Sequence, residues 1–101
     1  MIITDEIKAV FEGSAFIPII TMNEDNTPHP IIVGGGKVEG DTIAFDIYIM
    51  AVTRENLEER PEMWVMASTA DGAPKGFRLS GKAHVEGGQV IFEAEDAEGM
   101  I

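Results

Sequence analysis

Residues 42 to 49 read Thr-Ile-Ala-Phe-Asp-Ile-Tyr-Ile, so that Ile43, Phe45, Ile47 and Ile49 alternate with Thr42, Ala44, Asp46 and Tyr48. A period of two belongs to a strand with one face in a core. The segment from 77 to 87 repeats it, with Phe77, Leu79, Ala83 and Val85 on one side and Arg78, Ser80, Lys82 and His84 on the other. Apolar runs at 14–22 and 63–69 read as further strands. In the first of them Pro18, which has no N–H, predicts a sheet edge or a bulge. The polar stretch 23–28 is a turn leading into the strand-forming segment 29–40, and 37–41 marks another turn. Helical spacing appears twice. Ile7, Val10 and Phe11 form a stripe behind a Thr4 cap, with Asp5 and Glu6 in the first turn and Gly13 as the stop. A short helix over 53–60 starts with Thr53 as its N-cap and ends at Pro61. The last segment, 89–101, begins as a strand and turns helical, with a weak apolar face of Phe92, Ala97, Met100 and Ile101. Five strands at short spacing with one inserted helical turn predict a mainly β, antiparallel barrel in a single domain spanning 1–101.

Length and charge narrow the possibilities. A chain of 101 residues buries roughly 60 to 70% of its unfolded surface, which gives a thin core. There is no cysteine, so disulfides, thiolate metal sites and cysteine nucleophiles are all excluded, in keeping with a reducing, cytoplasmic setting. No basic n-region precedes a long apolar run, and no window approaches a membrane-spanning length. Eighteen acidic against seven basic residues give a net charge of -11, a field that repels nucleic acid and anionic membrane alike. The acidic stretch 92–101 reads as a solvated tail.

Candidate chemistry is sparse. His29 and His84 lie on different strands with no metal-ligand spacing, and no nucleophile elbow, phosphate-binding loop or dinucleotide fingerprint is present. Gly34-Gly35-Gly36 has two readings: a bulge that lets the sheet curl, or a place where a ligand's ring presses on bare backbone. Trp64, with Met63 and Met66, reads as core or as a subunit interface. The strand-to-helix junction "IYIMAVTRENLEERP" at 47–61 offers more. A Thr53 hydroxyl, the N–H groups of Arg54 and Glu55 and the Asn56 amide form a set of neutral donors suited to a phosphate. The same residues also read as a plain helix cap with Leu57 packed inward.

From about residue 4 to about residue 93 the order of elements resembles the pyridoxamine 5′-phosphate oxidase-like FMN-binding split barrels. The sharpest match is Thr53-x-x-Asn56-Leu57 followed by Glu59-Arg60-Pro61, and Thr-Pro-His-Pro at 27–30 is a second marker. The resemblance implies an antiparallel split β-barrel with short flanking helices, assembled as a homodimer with FMN in a cleft between subunits. It implies a flavin ring against the backbone of Ile31, Ile32 and Val33 and close to Ile47 and Tyr48. It also implies a phosphate held by Thr53, Asn56 and the helix start.

The chain departs from the family pattern where relatives commonly have Gly-Lys before the threonine: here Ala51-Val52 stands. A charge-assisted hydrogen bond to phosphate contributes about 1.5 to 3 kcal/mol, so its loss weakens FMN roughly ten- to a hundredfold unless Arg54 compensates. The C-terminus also stops short of the longer helix and last strand of many relatives. The expected function is therefore an FMN-binding redox protein, an oxidoreductase on an unspecified substrate. The alternatives are a dimeric split-barrel module that has lost FMN, or one that uses a deazaflavin or haem.

Overall fold

A computed structural model describes residues 1–47, 50–70 and 72–101; of the expected strand 42–49, Tyr48 and Ile49 lie outside the described residues. The elements are α1 (Asp5–Glu12), β1 (Ile17–Met22), β2 (Pro28–Val33), β3 (Lys37–Glu39), β4 (Thr42–Asp46), α2 (Ala51–Glu59), β5 (Glu62–Thr69), β6 (Lys75–Glu86) and β7 (Gln89–Gly99). Among the described residues, seven strands form one antiparallel sheet in the order β2-β1-β5-β6-β7-β4-β3. Its two outer strands, β2 and β3, are consecutive in sequence yet not paired with each other, so the barrel is split along that seam.

Strand alternation builds the core. Ile17, Ile19, Ile43, Phe45, Val65 and Leu79 are fully buried from four different strands, and α1 closes one end with Ile7, Val10 and Phe11. The α1 cap is as expected: the Thr4 hydroxyl accepts from the Ile7 N–H at 3.3 Å, and Asp5 and Glu6 occupy the first turn.

Several sequence expectations are corrected. Pro18 is not on an edge strand, since β1 lies between β2 and β5. The β1–β5 ladder registers only Ile19 with Val65 and Ile20 with Trp64, however, so the missing donor falls just outside it. Residues 37–39 form β3, and the turn is confined to Gly40 and Asp41. The acidic ending is neither a tail nor a helix: β7 is an interior strand between β6 and β4.

The glycine run at 34–36 links β2 to β3. Gly35 has φ +91°, and a Cβ on Gly36 would lie 2.7 Å from side-chain atoms of both Ile43 and Phe45. Backbone conformation and close packing account for these two glycines. The bulge lies elsewhere, between Ser80 and Gly81, where a Cβ on Gly81 would lie 1.9 Å from the Glu93 carbonyl oxygen. Among the described residues no helix is long and apolar enough to cross a membrane.

Candidate functional site

The helix after β4 starts earlier than the Thr53 cap reading requires. Its N-cap is Met50, which offers no side-chain hydrogen bond, and Thr53 is the third helical residue. The Arg54 N–H already donates to the Met50 carbonyl at 2.9 Å, so the groups left without an intrahelical acceptor are the N–H groups of Ala51, Val52 and Thr53. No acidic residue occupies this first turn. The positive end of the helix dipole is therefore neither capped nor neutralised from within the helix.

Thr53 sharpens the picture. It is 1% exposed, and its Oγ1 has no hydrogen-bond partner among the described residues. A buried hydroxyl left unpaired costs about 1 to 3 kcal/mol, so a ligand atom that accepts from it relieves that cost on binding. A cavity of ≈ 290 Å³ opens at this point, lined by His29, Ile31, Met50, Ala51, Val52 and Thr53. A strand's side chains alternate, so His29 and Ile31, two apart on β2, reach it together.

The remaining expected residues are distributed differently. Ile32 points the other way and is 67% exposed, while the Val33 side chain is buried in the core. Both belong to an edge strand whose outer backbone is not paired in the sheet, which leaves bare backbone beside the cavity. Ile47 packs against the core, and its N–H donates to the Gly88 carbonyl at 3.0 Å; its side chain does not line the cavity. Tyr48 lies outside the described residues. Arg54 is exposed and is not part of the lining.

Asn56 is the clearest departure. Its amide is buried and donates to Thr21 Oγ1 at 3.1 Å and to Asn23 Oδ1 at 3.0 Å. Both N–H bonds are thus committed to tying α2 to β1 and the turn that follows it. Asn56 lines a different cavity, of ≈ 610 Å³, with Glu24, Asp25, Glu55, Glu59 and Arg60. There the Thr27 hydroxyl and backbone N–H hold the Asp25 carboxyl below its usual range. Val52 belongs to both linings. Sequence reasoning missed His29 and Met50 as neighbours of Thr53. The signal for His29 was present in the spacing His29-x-Ile31 on one strand face.

The residues at the start of α2 fit a phosphate: three N–H groups without an intrahelical acceptor and, among the described residues, one buried hydroxyl without a partner and no carboxylate in the lining. The fold that carries them, one antiparallel sheet split at the seam between its two edge strands, is the split-barrel fold found in pyridoxamine 5′-phosphate oxidase-like proteins. No protein-family model matches the sequence, and no curated protein matches it. Solved structures do. HupZ of Group A Streptococcus is 17% identical with a TM-score of 0.82, over 99% of this chain and 94% of its own. An FMN-binding protein from Syntrophomonas wolfei is 12% identical with a TM-score of 0.78, over 93% of this chain and 83% of its own. A protein of the pyridoxinephosphate oxidase family from Clostridium acetobutylicum, related to general stress protein 26 of B. subtilis, is 14% identical with a TM-score of 0.79, over 93% and 84% of the two chains. At such identities the likeness is one of fold.

Proposed function

We propose that this chain is a flavin-binding redox protein that takes FMN, with the phosphate at the start of α2 and the ring along the outer backbone of Ile31, Ile32 and Val33. The observation that carries this reading is the buried, unpartnered Thr53 hydroxyl in a cavity shared with Ile31. The fold shared with an FMN-binding protein supports it. Bound FMN supplies the electron or hydride chemistry through its ring, and the protein contributes position and environment. In this arrangement Thr53 Oγ1 donates to a phosphate oxygen, the N–H groups of Ala51 and Val52 complete the cradle, and the Ile31 side chain keeps water from one side. The exposed apolar groups beside the site, Ile32 and Val52, are covered by a second copy of the chain in a homodimer.

A second reading, a dimeric module without cofactor, rests on Val52. This residue is apolar and 46% exposed at the place where a cation would face the phosphate.

One titration separates the two. Val52→Lys adds a cation beside a dianion and is expected to tighten FMN roughly ten- to a hundredfold, whereas Thr53→Ala removes a neutral donor and loosens it. Riboflavin, with the same ring and no phosphate, is expected to be indifferent to Val52→Lys. Fluorescence quenching reads all three proteins; identical behaviour of the two flavins, or no binding by any of them, favours the cofactor-free module.

A further inference from the structure

Among the described residues lining the cavity at the start of α2, only His29 carries a titratable side chain. It is half-buried and has no hydrogen-bond or ion-pair partner among the described residues. The other histidine, His84, is exposed, with Nε2 3.0 Å from Glu86 Oε2. Three features thus meet in one space: an uncapped helix start and, with no partner among the described residues, a buried hydroxyl and an imidazole.

We propose that His29, in its protonated form, is the cation of this site, contacting the phosphate of a bound phosphate monoester and supplying the charge that Val52 does not. The choice of FMN as the monoester rests on the function proposed above; the anion site itself does not. Among the described residues, the surroundings of His29 are neutral on the elements packed against it. Pro28 and Pro30 flank it on β2, and it registers with Thr21 of β1, between Ile20 and Met22. Ala51, Val52 and Thr53 face it from α2. The nearby charged groups, Glu24, Asp25, Glu55, Glu59 and Arg60, line the neighbouring cavity that shares Val52, and Arg54 is turned to solvent. A monoester keeps at least one negative charge across the range in which imidazole protonates. Phosphate binding and protonation of His29 therefore reinforce each other, and the linkage is reciprocal.

The test follows the ring protons of the two histidines by NMR as pH is varied, with inorganic phosphate, FMN or riboflavin added to the intact protein. Inorganic phosphate and FMN are expected to raise the His29 titration midpoint, riboflavin to leave it in place, and His84 to respond to none of them. His29→Gln is expected to weaken FMN about tenfold near pH 6 and less near pH 8, and His29→Lys to hold FMN about equally at both. A His29 midpoint indifferent to both phosphate and FMN overturns the proposal, and if FMN still binds, the flavin reading survives without it. If phosphate moves His29 while neither flavin binds, the anion site stands and the flavin reading falls.

Discussion

Thr53 sits where packing and chemistry disagree. Its hydroxyl is buried without a partner among the described residues, so removing the oxygen while keeping the shape relieves the unliganded fold. Thr53→Val is expected to raise the stability of the ligand-free protein by about 1 kcal/mol, roughly 4 to 8 °C in melting temperature. The same change is expected to weaken FMN by about three- to tenfold. Thermal melts with and without FMN check both halves, and a variant less stable than the parent without ligand would show that the hydroxyl has a structural partner. At this scale the sequence was half legible. Thr53 and Ile31 could be placed because a strand-to-helix junction is local. The commitment of Asn56 could not, since its acceptor Thr21 lies 35 residues away in sequence and only the fold brings it under α2. Nor could the exact helix start, because Met50 offers no cap residue to announce it.

At the scale of elements, β7 is the misread piece, and the reason is physical. Its buried positions are Val90, Phe92 and Ala94, then the half-buried Ala97. The phase changes at Glu95, because Ser80 registers with Asp96 and Gly81 with Ala94, leaving one extra residue on β7. A bulge shifts an alternating pattern by one place, and the broken alternation followed by scattered carboxylates imitated a frayed helix. The consequence reverses the tail expectation. Deleting residues 95 to 101 removes the ladder of 96–99 against 77–80, the Met100 N–H bond to the Gly76 carbonyl and the Arg78–Glu98 ion pair. The loss is expected to be about 2 to 5 kcal/mol, read as a lower denaturant midpoint; an unchanged midpoint would return this segment to the status of a tail.

For the whole molecule, two terms oppose each other. Phe16 is 73% exposed, and with Met66, Phe77, Met100 and Ile101 it lines an apolar cavity of ≈ 520 Å³. A patch of this kind favours pairing of chains. Each chain also carries a net charge of -11, so pairing brings like charges together, and salt screens that repulsion over about 10 Å at 0.1 M. Sedimentation at micromolar concentration is therefore expected to give a dimer that tightens as salt is added. A monomer at every ionic strength would remove the shared cleft from the proposed function. The antiparallel class and both helices were foreshadowed by alternation and helical spacing, whereas the order of the seven strands and any pairing of two chains leave no periodic trace in the sequence.

The open side of β2 has a further consequence, for how the protein stays dispersed. An edge strand ending in Ile-Ile-Val is a template on which an unfolded neighbour can lay a strand of its own. Pro28, Pro30 and Ile32 share one parity along β2. Proline fits an edge strand only where its nitrogen faces away from the partner, so of these three outward positions only Ile32 keeps a donor. An incoming strand therefore finds one hydrogen-bond donor where it needs a row of them, while a flat ring, which asks for surface and a single donor, is not hindered. Replacing both prolines with threonine is expected to leave the monomeric fold intact and to shorten the lag before fibrils form on gentle heating, followed by light scattering. An unaltered lag would mean that charge alone keeps the chains apart.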